Sequence, residues 1–79
     1  MTWNYRIVKR KDSTGEYFFA VHEAYYNKNN KISSITEEPI KIIGNDVEEI
    51  FSEIDMIKKD LERSKNDIID YDNIKFEKP

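Results

Sequence analysis

The only histidine is the first residue to weigh for chemistry. His22 stands beside Glu23, and an imidazole next to a carboxylate is a common acid–base combination. The segment around them reads as a strand, however, and adjacent strand residues point to opposite faces. They are therefore not a local pair, and a surface or structural histidine is expected. Glu37 and Glu38, ahead of Pro39, fail as paired carboxylates for the same reason. Nothing near them in sequence supplies an oxyanion site. The chain has no cysteine, which removes disulfides, zinc–thiolate centres and iron–sulfur clusters. No serine stands in a nucleophile elbow or in Ser-x-x-Lys spacing. No catalytic residue is assigned, and the protein is not expected to be an enzyme.

Two further groupings carry charge. Asp67, Asp70 and Asp72 with Asn73 offer the oxygen ligands that hard cations take. The segment lacks the glycine and closing bidentate glutamate of an EF-hand loop, so it is a weak candidate cation cluster. No metal and no cofactor is expected. Arg6, Lys9, Arg10 and Lys11 form a basic run close to Tyr17, Phe19, Tyr25 and Tyr26. Such a mixture on a sheet can stack single-stranded RNA. Against that stand a net charge of −3 and the absence of the Gly–aromatic pattern of RNA-recognition sheets. Nucleic-acid binding is not expected, and the basic run reads as protection against edge-to-edge aggregation.

The elements that must position these groups are legible in outline. Trp3–Arg10 alternates apolar and polar residues and reads as a strand. Lys11–Gly15 is a polar turn. Tyr17–Tyr26 reads as a second strand that is apolar on both faces: Tyr17, Phe19, Val21 and Tyr25 on one, Phe18, Ala20, Ala24 and Tyr26 on the other. A strand of that kind is central in its sheet or covered by a partner. A turn at Asn27–Asn30 leads to a third strand, Ile32–Glu37, which ends ahead of Pro39. Ile40–Ile43 reads as a short further extended piece. Asp46 with Glu49 makes a capping box. After it, Val47, Ile50, Phe51, Ile54, Ile57 and Leu61 recur at spacings of three and four. They predict one apolar helix face buried on the sheet. The tail from Asp67 carries Ile68, Ile69, Tyr71, Ile74 and Phe76, too apolar for disorder, and is expected to dock on the sheet or on a neighbouring chain, with a short strand as one form of docking. The fold class is α+β: a three- or four-stranded antiparallel sheet packed against one amphipathic helix, with a C-terminal docking tail, in one domain over residues 1–79.

Composition narrows the function classes. The chain has 79 residues, of which 37% are charged and 13% aromatic. A chain this short buries only about 60% of its unfolded surface, and aromatics compensate for a limited core. No apolar run is long enough for a membrane span. The first residues lack the basic-then-apolar order of a signal peptide, so a cytoplasmic location is expected.

Trp3-Asn4-Tyr5-Arg6, His22-Glu23-Ala24-Tyr25-Tyr26, Thr36-Glu37-Glu38-Pro39 and Asp70-Tyr71-Asp72 together resemble a family of small uncharacterised bacterial proteins that begin near Trp-Asn-Tyr-Arg. That resemblance implies no activity. Gly44-Asn45-Asp46-Val47-Glu48-Glu49-Ile50 is more loosely similar to the start of the helix in the N-terminal domain of HicB-type antitoxins. This second resemblance covers about Tyr5 to Leu61. It implies a sheet with one helix, assembly into oligomers and a protein partner. Nothing after Leu61 reads as the DNA-binding segment that HicB-type proteins usually add.

The function expected from the sequence is a non-catalytic protein-interaction module that self-associates as a homodimer or binds a protein partner. Its candidate interaction surface is Trp3, Tyr5, Phe18, Ala20, His22, Tyr25 and Tyr26. The alternatives are a small acidic inhibitor, antitoxin-like, of a basic partner, and a small-molecule or ion binder. The open question is what covers the second sheet face: the tail through Tyr71 and Phe76, or another chain.

Overall fold

A computed structural model describes residues 2–78. Strand β1 (Thr2–Lys11) and strand β2 (Tyr17–Tyr26) form a long antiparallel hairpin in which Thr2 faces Tyr26 and Lys11 faces Tyr17. The turn between them is built on Asp12. Its Oδ1 accepts from the Thr14 N–H at 2.8 Å, the Thr14 hydroxyl at 2.6 Å and the Glu16 N–H at 3.0 Å. These donors, the Thr14 hydroxyl first, hold the Asp12 carboxyl below its usual range. Gly15 takes a φ of 88°, which an L side chain adopts only with strain. Asn27 repeats the device in the next turn, its Oδ1 accepting from the Asn29 and Lys31 amides.

Strand β3 (Ile32–Ile35) pairs antiparallel with β2, with a register shift at Tyr25/Tyr26. It is two residues shorter than the sequence pattern predicts, although Thr36 still donates to the Glu23 carbonyl at 3.0 Å. Ile40–Ile43 forms no strand; the Ile40 amide alone reaches the Val21 carbonyl, at 2.9 Å. Helix α1 (Val47–Arg63) begins where the capping pattern places it, with Asp46 Oδ1 accepting from the Glu49 amide at 2.9 Å. The return arm of the box goes to the Asn45 amide, at 3.3 Å from Glu49 Oε1. Strand β4 (Ile69–Asp70) confirms the expected docking of the tail, but it runs parallel to β1, pairing Val8 with Ile69. The sheet order is β3-β2-β1-β4.

Paired residues on neighbouring strands share a face, so the hairpin register sorts every side chain. Trp3, Tyr5, Ile7, Lys9 and Lys11 lie with Tyr25, Glu23, Val21, Phe19 and Tyr17 on the helix side. Asn4, Arg6, Val8 and Arg10 lie with Ala24, His22, Ala20 and Phe18 on the tail side. The core is on the tail side. Val8, Ala24 and Ile69 are buried there, with Tyr26, Ile32, Ile35, Tyr71 and Ile74 packed around them. The tail therefore covers the second face through Ile69, Tyr71 and Ile74, while Phe76 stays exposed.

The helix departs from expectation. Of the six residues in its apolar stripe only Ile57 is buried, and Val47, Phe51 and Ile54 are 67%, 60% and 42% exposed. Two hydrogen bonds explain which side of the helix meets the sheet. Asp60 Oδ2 accepts from the Tyr5 amide at 3.0 Å, and the Glu53 carboxylate takes the Tyr5 hydroxyl. They turn the Glu53–Ile57–Asp60 side of the helix onto β1. Among the described residues the helix packs on β1 and on no other strand. Stripe spacing fixes which residues share an arc of the helix, but not which edge of that arc meets the sheet.

Candidate functional site

The seven residues of the candidate surface do not form one surface. Trp3, Tyr5 and Tyr25 face the helix side, whereas Phe18, Ala20 and His22 face the tail side with Tyr26. Tyr5 is buried beneath the helix, its ring edge-on to Trp3 at 5.1 Å between centroids. Burial first, then the Glu53 carboxylate, pushes its phenol well above the ordinary value. Tyr25 donates to Glu23, and that bond raises its phenol too.

His22 is buried completely. Its Nδ1 lies 2.9 Å from the Thr36 carbonyl oxygen, so Nδ1 carries the proton, and Nε2 faces Arg10 NH1 at 3.4 Å. Burial pushes its pKa down, and the Arg10 charge adds to that, against the opposing pull of the Thr36 bond and Glu38. This is a neutral structural imidazole. Arg10 is the clip beside it: it donates to the Glu37 carbonyl at 2.8 Å and lies 4.2 Å from the centroid of the Tyr71 ring. One side chain thus ties the segment after β3 and the tail to the hairpin.

The basic run is divided in the same way. Arg6 is buried on the tail side, where it donates to Tyr26 Oη at 2.8 Å and to the Asp67 carbonyl at 2.5 Å. It also pairs with the Asp67 carboxylate at 3.2 Å. Lys9 and Lys11 lie on the helix side, over the Tyr17 ring. Neither a continuous basic patch nor a stacking platform results. The acidic cluster is divided as well. Asp67 is engaged by Arg6, and Asp70 accepts from the Asn73 amide at 2.9 Å and the Asp72 N–H at 3.2 Å. Among the described residues no group of three His, Cys, Asp or Glu is placed to hold a metal ion. No helix among them is long and apolar enough to cross a membrane.

The site that sequence reasoning missed is the groove beside the helix. Ile7 on the sheet and Ile54, Ile57, Lys58, Leu61, Glu62 and Lys65 line a cleft of about 460 Å³. Ile7, Ile54, Ile57 and Leu61 give it apolar walls, and Lys58, Glu62 and Lys65 set charges at its rim. Phe51 and Val47 extend the helix stripe beyond the cleft, and Phe19 and Tyr17 lie exposed on the same side of the sheet. The signal for it was present: a stripe of six apolar residues is more than a contact with β1 alone can cover.

No family model, curated protein or solved structure matches the chain.

Proposed function

We propose that this protein is a non-catalytic protein-interaction module, and that it binds through the apolar face shared by α1 and the helix side of the hairpin. The supporting observation is the exposure of Val47, Phe51 and Ile54 next to a groove that the protein's own sheet leaves unfilled. At the exposures of Tyr17, Phe19 and Phe51, 53%, 63% and 60%, these three rings alone leave roughly 300–400 Å² to water. Large apolar side chains exposed beside an apolar groove and rimmed by charge mark interaction sites. The reading also fits the buried, hydrogen-bonded state of the one histidine, which leaves it no route to a substrate.

The test is a comparative capture. The tagged protein and its Phe19→Glu/Phe51→Glu variant are used to isolate partners from cells that express the protein natively. A protein retained by the parent and lost by the variant is the expected result, whether it is this chain or another. Identical retention by both overturns the assignment of this face. A second reading, a small acidic inhibitor of a basic protein, is favoured by exposed Glu48, Glu49 and Asp55 on the first half of the helix. It requires capture that falls away steeply with added salt, whereas an apolar contact persists.

A further inference from the structure

We infer that the occupant of this face is a second copy of the chain, with the two α1 helices packed antiparallel about a two-fold axis that passes between Phe51 and Ile54. The inference rests on the reading of this face as the interaction surface and deepens it by naming the partner.

Three observations carry it. The first is the pattern of the exposed stripe. Val47, Phe51, Ile54 and Lys58 succeed one another at spacings of four, three and four, on the flank of the helix that is turned away from its contact with Tyr5. Two such stripes laid antiparallel match themselves. Phe51 meets Ile54 of the second copy twice over, and Val47 meets the aliphatic stem of Lys58.

The second observation is the distribution of charge along the helix. Up to Asp55 it carries Glu48, Glu49, Glu53 and Asp55 and no base; beyond Met56 it carries Lys58, Lys59 and Arg63, followed by Lys65. Asp60 and Glu62 are the only acids in the second half, and Asp60 is held by the Tyr5 amide. An antiparallel pair sets Asp46 and Glu48 of each copy beside Lys58 and Lys59 of the other. It also opposes the two helix dipoles. A parallel pair stacks acid on acid and base on base, which is costly once the charges are partly desolvated.

The third observation is area. A stable interface needs roughly 800 Å² from each partner, of which a little over half is apolar. Val47, Phe51 and Ile54, 67%, 60% and 42% exposed, supply roughly 200–300 Å² of that apolar share from the helix stripe itself. The aliphatic stems of Lys58 and Glu62 beside the stripe add to it, with the charged helix residues as its rim.

The chain has no native cysteine, so single introduced thiols report the arrangement without interference. Sedimentation velocity of the full chain at about 100 µM is expected to give a dimer, and Phe51→Glu a folded monomer with the parent's far-UV dichroism. With a short bis-maleimide, Glu48→Cys mixed with Lys58→Cys is expected to form a cross-linked pair, while Glu48→Cys alone does not. Self-linking of Glu48→Cys, with no product from the mixture, overturns the antiparallel arrangement. A monomer at that concentration overturns the second copy as occupant. It leaves the comparative capture to decide whether the face binds a different protein, so the two readings fail separately.

Discussion

The most informative single residue is His22, because its burial gives it a measurable consequence although it does no chemistry. Burial, reinforced by Arg10, lowers its pKa below the ordinary 6.5. The unfolded chain therefore binds the proton first as pH falls. The stability contributed by the neutral imidazole is fully present above about pH 6.5 and is lost as pH drops toward the depressed folded value. The melting temperature should fall between pH 7.5 and pH 5.5, roughly one unit either side of the free imidazole. His22→Gln should flatten that dependence; an equal slope in the variant would place the titration elsewhere. Arg6 and Asp67 allow a second prediction, because the two partners are unequally buried, at 7% and 84% side-chain exposure. Asp67→Ala should cost less than about 1 kcal/mol in urea denaturation, as for an exposed carboxylate. Arg6→Ala should cost about 2–3 kcal/mol, since it removes bonds to Tyr26 and the Asp67 carbonyl together with buried aliphatic packing. The period-two pattern of β1 places Arg6 opposite the Tyr5 face correctly. It cannot reveal that this face is the buried one, because the tail that covers it lies sixty residues away, and an alternating arginine normally means solvent.

At the scale of elements, local chemistry was legible and mutual orientation was not. The two long strands, both turns, the helix cap and the docking of the tail follow from side-chain alternation, Asx-type turn residues and the Asp46–Glu49 spacing. The direction of β4 and the rotation of α1 depend on contacts distant in sequence, such as Tyr5 with Asp60, for which no local pattern exists. The rotation reverses an expectation about mutants. With the whole stripe buried, an acid at Val47 or Ile54 would unfold the protein. With Val47 67% exposed, Val47→Asp should change monomer stability by about 0.5 kcal/mol or less. Ile57→Ala, at the one buried stripe position, should cost about 2–4 kcal/mol. Urea midpoints measured on the Phe51→Glu background keep self-association out of the comparison. Equal losses at Val47 and Ile57 would mean that the helix rotates further onto the sheet than its bonds to Tyr5 allow. The cap supplies an internal scale: Asp46→Ala should cost about 1 kcal/mol.

Viewed whole, the molecule is a hairpin with two unequal coverings. On the tail side, Ile69, Tyr71 and Ile74 close over Val8 and Ala24, and Arg10 ties Tyr71 and Glu37 to the hairpin. On the helix side, a 17-residue element rests on one strand through Tyr5 and Ile57. The usual arrangement for such a small α+β chain, with the helix supplying the core and the tail decorating it, is therefore inverted. Sequence composition could not show this inversion, because the helix holds more apolar residues than the tail. What decides stability is how much of each is withdrawn from water. The inversion predicts opposite outcomes for a truncation and a substitution of comparable apolar content. A chain ended after Asn66 loses Ile69, Tyr71 and Ile74 together, leaves Val8 and Ala24 open, and strips Arg6 of its partner at Asp67. Each buried aliphatic lost is worth about 1.5–3 kcal/mol, against a total stability of about 5–15 kcal/mol for a domain. That chain should show no cooperative urea transition and a collapsed amide proton spectrum. A peptide of residues 67–78 added in excess should restore dispersion in proportion to its concentration. By contrast, the variant Val47→Asp/Phe51→Glu/Ile54→Lys, which removes three large apolar groups from the helix, should keep the hairpin's dispersed amides and a cooperative transition. A truncated chain that still unfolds cooperatively near the parent midpoint would return the core to the helix side and with it remove the reason for an open binding face.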